Sequence, residues 1–347
     1  MPPIDRWRGR MPAVLFANPT AQSGQAADWI RTARALLDSA GIPHTFQATA
    51  PAGGTVGLVR DAVEAGARLV IYMGGDGTFA EVAKGVLGSS HAAEVAMGML
   101  PTGTANDQGK SFGLAAGPGA LEANIRHIAA GATLSIDVGA LTVTGVGEAP
   151  ATDLFFDSFS IGLGAATLAT RNRDRELVGK IPGLGMLYRD QLVYAGALVQ
   201  RFLESYVTDV KFDVSADIDG RAYRFTDVLD IIVKNTRIFG GEWVLDPRAE
   251  ADDGQFELIP ITGRRDFTSK MLSTLRQSPI AADDLRALGL DLAPAVVGKK
   301  FTLDVKVDGP RPAAQIDGEE IPAGDRYEIE VAPRCLRLVV PHDEAGA

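Results

Sequence analysis

The sequence predicts an α/β fold in two domains: an N-terminal domain on a parallel sheet, then a C-terminal, mainly antiparallel, sandwich-like β-rich domain. Three observations lead there. Up to residue 134, short continuous apolar runs alternate with amphipathic helical stretches, the pattern of a parallel sheet covered on both faces. Beyond residue 210 the apolar period becomes two. Charge also divides near residue 134. Residues 1–134 hold 10 basic and 10 acidic side chains, and residues 135–347 hold 24 and 34, so the second segment carries the whole formal charge of −10. The expected domains are therefore 1–134 and 135–347.

The elements follow in order. Val14 to Ala17 is a first apolar run, followed by turn residues. Ala33, Leu36, Leu37 and Ala40 recur at helical spacing, with Gly41 as the stop. Leu69 to Met73 is a second apolar run, ended by Gly74-Gly75, and Phe79, Val82, Ala83 and Val86 form the next helical face. Ala96 to Leu100 is the third run, ended by Pro101, and Leu121, Asn124, Ile125 and Ile128 predict another helix. In the second domain a long helical stretch is expected around Leu184 to Leu203. Val210 to Ile218 then alternates apolar with polar residues and runs into Asp219-Gly220, a hairpin signal. Phe301, Leu303, Val305 and Val307 alternate likewise, and Asp317-Gly318 precedes a last alternating stretch, Tyr327 to Val331.

Composition narrows the classes. With 46% hydrophobic residues in 347, two packed cores are expected and disorder is not. The single cysteine, Cys335, excludes an internal disulfide and a cysteine-based zinc site. No apolar run approaches the roughly 18 residues of a membrane span. Met1 to Arg10 carries three arginines, but the apolar stretch after it is shorter than the roughly 7–15 residues of a secretory signal, so the cytoplasm is the expected place. An acidic surface repels a nucleic acid backbone, so no nucleic acid partner is expected. His44, His91, His127 and His342 are scattered and form no metal or nucleophile pattern.

Three loops carry chemistry. Gly74-Gly75-Asp76-Gly77-Thr78 lies between a strand and a helix, where ligands of open α/β sheets bind. Its glycines allow close backbone approach, and the helix start offers unpaired N–H groups. Asp76 repels phosphate directly, so its use is through a metal ion or by accepting hydrogen bonds. Leu100 to Asp107 follows the next strand and offers the Thr102 and Thr104 hydroxyls and the Asn106 amide. Asn18 to Gly24 follows the first strand. Each loop alone is also readable as an ordinary turn; their convergence on one sheet edge favours a nucleotide phosphate. Two familiar motifs fail: Thr104 stands where a P-loop ending at Gly109-Lys110-Ser111 needs glycine, and Gly162-Leu163-Gly164 leads to Thr167 where a dinucleotide fingerprint needs glycine or alanine.

Residues Gly74 to Val82, GGDGTFAEV, and Leu100 to Leu114, LPTGTANDQGKSFGL, together resemble the two signatures of the diacylglycerol kinase catalytic-domain family, in particular the soluble bacterial lipid kinases. NAD kinases are similar in the first signature but not in the second. The likeness extends to Asn18-Pro19, to Asn235 to Phe256 with Gly240-Gly241 and Asp253-Gly254, and to Asp317-Gly318-Glu319. The resemblance implies an ATP-binding N-terminal domain and a β-rich lipid-substrate domain, with a C-terminal strand near 335–342 returning to the first. It implies ATP contacts at Asn18, Pro19, Thr20, Thr49, Gly74, Gly75, Asp76, Gly77, Thr78, Phe79, Ala80 and Thr104, to which the loop reading adds Asn106. It implies a structural Mg²⁺ near Glu250, Asp253 and the Gln255 carbonyl, and a catalytic Glu319 with Asp317 beside it. Two departures stand out: Ala80 replaces the family's usual asparagine, and Gln108-Gly109-Lys110 its usual aromatic-small-arginine run.

The expected activity is transfer of the γ-phosphate of ATP to a lipid hydroxyl, most simply diacylglycerol or a related lipid. Glu319 is the first choice for the base, with Asp317 holding catalytic Mg²⁺ or sharing that role. Without the resemblance, Asp317-Gly318-Glu319 reads equally as a plain hairpin turn. Residues 171–189, with five basic against two acidic side chains and interleaved apolar residues, are a candidate for transient contact with the inner membrane face, beside the reading of a solvated basic loop. A homodimer is compatible with the sequence. The alternatives are a kinase for another hydroxyl (a sphingoid base, a glycolipid or NAD) and a non-catalytic lipid- or nucleotide-binding protein.

Overall fold

A computed structural model of the chain describes residues 13–145, 147, 149–162, 164–165, 211–239, 243–244, 246, 248–261 and 295–342. The expected helix at Leu184 to Leu203, the stretch 171–189, Gly240-Gly241 and Met1 to Arg10 lie outside the described residues. The chain divides into two units. The first comprises Met1–Val138, Glu250–Gly254 and Ala332–Ala347, and the second Gly139–Ala249 and Gln255–Val331.

In the first unit, β1 (Ala13–Ala17), α1 (Ala26–Ser39), β2 (His44–Ala48), α2 (Gly54–Glu64), β3 (Leu69–Gly74), α3 (Asp76–Leu87), β4 (Ala96–Pro101), α4 (Asp107–Ser111) and α5 (Leu121–Ala130) follow one another, and β5 (Thr133–Thr144) leads out of it. The strands pair in parallel in the order β2-β1-β3-β4. The end of the last strand adds to β4, with Leu338 opposite Met97. β1 and β3 are fully apolar and buried on both sides, which is why they read as continuous runs. α1 buries Ala26, Ile30, Ala33 and Leu37, one stripe at helical spacing. β2 and α2 have no such signature. The HTFQA edge strand exposes most of its residues, and α2 contains two glycines and buries only Thr55, Val59 and Val63.

In the second unit run β6 (Ala151–Phe155), β7 (Ser158–Gly162), β8 (Phe212–Ile218), β9 (Arg221–Val228), β10 (Asp230–Lys234), β11 (Ile238–Phe239), β12 (Trp243–Val244), β13 (Phe256–Ile261), β14 (Val296–Gly298), β15 (Lys300–Lys306), β16 (Ala314–Ile316), β17 (Glu319–Ile321) and β18 (Arg326–Val339). One antiparallel sheet has the order β14-β13-β10-β7-β16-β17. β18, β15, β8 and β9 form a second antiparallel set. The two pack on one core, in which the Phe159 and Tyr327 rings lie 5.1 Å apart and those of Phe155 and Phe256 5.5 Å apart. Each such buried ring contributes about 1.5–3 kcal/mol. Inward residues of β8 alternate with outward ones, as the period of two predicts. Both Asp-Gly turns place their two residues at positive φ, 51° and 80° at Asp219-Gly220 and 47° and 81° at Asp317-Gly318, as a tight hairpin with right-handed strand twist requires. Among the described residues, no helix is long and apolar enough to cross a membrane.

Candidate active site

Because β1, β3 and β4 are parallel, the loops after them leave the same edge of the first unit's sheet, and the strand order turns between β1 and β3. The loops after β3 and β4 are bound to each other. Thr102 N and Gly103 N donate to Gly74 O at 2.8 and 3.2 Å, and Gln108 N donates to the Asp76 carboxylate at 3.3 Å. The glycines are needed for this contact before any ligand is considered. A Cβ on Gly103 would sit 2.4 Å from the Gly75 Cα, and one on Gly74 2.5 Å from the Thr78 hydroxyl. Gly103→Ala is therefore expected to force the loops apart, costing roughly 1–3 kcal/mol of stability. Where these loops hold the nucleotide expected from the sequence, the KM for ATP should rise with it. Thermal melting and ATP titration check both, and an unchanged KM would separate the loop pair from nucleotide binding.

The other expected contacts are placed as follows. Asn18 accepts from the N–H and hydroxyl of Thr20 at 3.0 and 2.8 Å, an exposed turn at the end of β1. Thr49 follows β2 and its N–H donates to Ala17 O. Asp76, Gly77 and Thr78 form the first turn of α3 and are half-buried. Phe79 and Ala80 turn their side chains into the core; the Phe79 ring packs edge-on against Tyr72, and its N–H donates to Gly75 O. Thr104 is exposed. Asn106, at φ 56°, closes its own loop: its Oδ1 accepts from Gly103 N and its Nδ2 donates to Gly103 O, both at 2.8 Å. Its side chain thus shapes the loop. Gly109 is small because a Cβ there would lie 2.5 Å from the Pro101 ring.

The acidic loop Glu250–Gly254 belongs to the first unit and is organised by Asp137, a residue that no motif in the sequence marks. The Asp137 carboxylate is buried and accepts from Gly254 N at 2.6 Å and Arg334 N at 2.7 Å, while its own N–H donates to Ala251 O at 2.7 Å. Burial pushes its pKa up, the Asp253 and Asp252 charges add to that, and the two main-chain donors oppose it. Glu250 and Asp253 are exposed, and Gln255 is the first residue of the returning second unit. Among the described residues no three His, Cys, Asp or Glu side chains group as a metal site. The donors available at 250–255 are oxygens, which suit Mg²⁺, and main-chain carbonyls would have to complete the set.

In the second unit, Asp317 and Glu319 have different surroundings. Glu319 opens β17, exposed, opposite Ile316. Asp317 is half-buried and its carboxylate is fully engaged. Phe156 N donates to one oxygen at 2.8 Å, and Asp157 N and Ser158 N donate to the other at 2.7 and 3.0 Å. Burial, then the neighbouring Asp157 charge, push its pKa up to about 7 against the pull of those three donors. The turn 156–158 rests in turn on the end of β10. Lys234 Nζ donates to Asp157 at 2.7 Å, Thr236 donates its hydroxyl to the same oxygen, and Asn235 Nδ2 donates to Phe156 O at 2.7 Å. Of these, Asn235 is named in the sequence only as the start of the stretch of likeness Asn235 to Phe256, and nothing in the sequence assigns a role to Asp137, Asp157, Lys234 or Thr236. The available signal was a charged residue abutting an apolar run, as in Ile231-Ile232-Val233-Lys234.

At the other end of β10, Asp230 is fully buried and accepts from Gly164 N at 2.7 Å. Burial pushes its pKa up to about 8. A folded-state pKa above the unfolded one means that the folded protein holds this proton while the unfolded chain releases it. Its contribution to stability is therefore full below about pH 4 and is lost as pH rises to about 8. Asp230→Asn should match the parent's Tm near pH 4 and exceed it by roughly 5 °C near pH 8. Parallel melting curves at the two pH values would contradict this.

Residues 12–141 match the family described as the diacylglycerol kinase catalytic domain. The chain is 28% identical over 327 residues to "Probable lipid kinase YegS" of Salmonella gallinarum, covering 92% of this chain and 95% of that protein. It is 27% identical over 334 residues to the protein of the same name from Escherichia fergusonii, covering 95% and 98%. A crystal structure of a diacylglycerol kinase from Bacillus anthracis str. Sterne has a similar fold, with a TM-score of 0.65 at 15% identity over 96% of this chain and 97% of that one.

Proposed function

From the chain's membership of the diacylglycerol kinase-like family, with its catalytic domain at residues 12–141, we propose that this kinase transfers the γ-phosphate of ATP to a lipid hydroxyl, diacylglycerol or a related lipid being the acceptor. The observation that carries the reading is the bonded pair of loops at the carboxyl ends of β3 and β4, held by Gly74, Asp76, Thr102 and Gly103.

In this reading the loop pair and the first turn of α3 receive the triphosphate, with Asn18 to Thr20 on the adjoining strand end. Main-chain donors and the α3 N-terminus complement its charge. Glu319 accepts the proton of the lipid hydroxyl as that oxygen bonds to the γ-phosphorus and the bond to the bridging oxygen of ADP breaks. Asp317, engaged by three N–H groups, holds the turn that presents Glu319, so we assign the base to Glu319. Mg²⁺ supplies charge neutralisation at the phosphates. A second, structural ion is assigned to Glu250, Asp253 and the Gln255 carbonyl. If so, a chelator lowers the Tm of the parent by several degrees and leaves Asp253→Ala unmoved; equal melting of the parent with and without chelator would remove that ion.

Incubation with γ-labelled ATP and either a lipid extract or NAD tests the function. Label in a lipid product, identified by mass spectrometry, is the expected result. Label in NADP instead, or nucleotide binding with no transfer, would overturn it.

A further inference from the structure

We propose that Lys234 is a positioning residue for the transfer step: its buried ammonium neutralises Asp157 and so fixes the turn that holds the Asp317 hairpin and Glu319. The inference rests on the reading of Glu319 as the base.

Lys234 is 1% exposed, at the end of a fully buried strand whose other residues are Asp230 at the far end and Ile231, Ile232 and Val233 between. A lysine is almost never buried to this degree without a charge partner, and a methionine would fill the volume as well. Its ammonium donates to Asp157 and to Ile238 O, each at 2.7 Å. Asp157 is itself buried and also accepts from the Ser158 hydroxyl at 3.1 Å. Asn235 N donates to Asp157 O at 2.9 Å, so the end of β10 grips the turn through main chain and side chain together. The opposite side of the same turn directs its three N–H groups at Asp317, and Asp317 N donates back to Ser158 O at 2.9 Å. Gln315 completes the hairpin, accepting from Gly318 N at 2.7 Å and donating to the Ser160 hydroxyl at 2.9 Å. Two carboxylates, Asp157 and Asp317, thus flank one turn. Like charges at such range repel strongly where water is excluded. The ammonium bonds the Asp157 carboxylate beside Asp317, and the hairpin, with Ile316 opposite Glu319, is tied to that turn through the three N–H bonds to Asp317.

The test compares Lys234→Met, Lys234→Met with Asp157→Asn, and Ile232→Ala, the last a buried truncation in the same strand outside the relay. Lys234→Met is expected to lower kcat by about 100-fold with the KM for ATP within about twofold, the cost of a misplaced catalytic group. Hydrogen exchange at the Phe156, Asp157 and Ser158 amides should accelerate. The paired variant, which leaves neither partner of the Lys234–Asp157 pair charged, should recover Tm and bring kcat to within about fivefold of the parent. Ile232→Ala should lower Tm and leave kcat unchanged. Normal kcat in Lys234→Met would overturn the proposal, and so would a paired variant with recovered Tm and low kcat. Should Lys234→Met not fold, the paired variant decides alone by the same criterion. Amide exchange needs no turnover, so the relay can be tested even if the kinase reading fails. Full activity of a Glu319→Gln variant would remove that reading without touching the exchange result.

Discussion

Replacing Glu319 by glutamine is expected to lower kcat by roughly 1,000-fold, within the range attributed to a positioned general base, while ATP binds as before. The substitution keeps size and shape and removes only the ability to take a proton. The side chain is exposed on the short strand β17 and makes no side-chain hydrogen bond among the described residues, so Tm should stay within about 1 °C of the parent. A drop in turnover at constant Tm and constant ATP affinity therefore reports chemistry and not folding. Turnover near that of the parent would take the base role away from Glu319 and leave the hairpin as a plain turn.

The second large effect is at Asp317. Its two oxygens accept three main-chain N–H bonds, and only a carboxylate offers acceptors on both sides. In Asp317→Asn one oxygen becomes an NH₂ group, which faces either Phe156 N–H or the Asp157 and Ser158 N–H pair. At least one partly buried donor loses its acceptor, at a cost of about 1–3 kcal/mol. Positive φ at Asp317 is tolerated by asparagine, so the turn itself is not the cause of the loss. The expected outcome is a lower Tm together with a kcat reduced by about 100-fold, through loosening of the segment that bears Glu319. In the proposed reading ATP is held by the first unit's loops, so its affinity should not change. Calorimetry with steady-state kinetics checks both. A variant that loses stability but keeps kcat would show that the hairpin need not be fixed for catalysis.

Both expectations separate what a stretch of sequence can display from what it cannot. The parallel sheet of the first unit was legible because β1, β3 and β4 are buried on both faces and so appear as continuous apolar runs. The Asp-Gly turns were legible because positive φ at two successive residues restricts the residue types. The edge strand β2 and the glycine-containing α2 were not, since neither carries enough apolar periodicity to stand out.

The sequence by itself determined the local chemistry: the buried strands β1, β3 and β4, the amphipathic helices that follow them, the Asp-Gly turns, and which loops leave one edge of a parallel sheet. These depend on residues within about one or two turns of each other, whose spacing is set by the helical and strand periods. Only the tertiary structure decided how the glycines are used, with Gly75 and Gly103 in backbone contact across two loops, and how the candidate base is supported. The Lys234–Asp157 and Asp157–Asp317 bonds join residues 77 and 160 positions apart. A buried charge must find its partner wherever the fold brings one, and no periodicity along the chain records that distance.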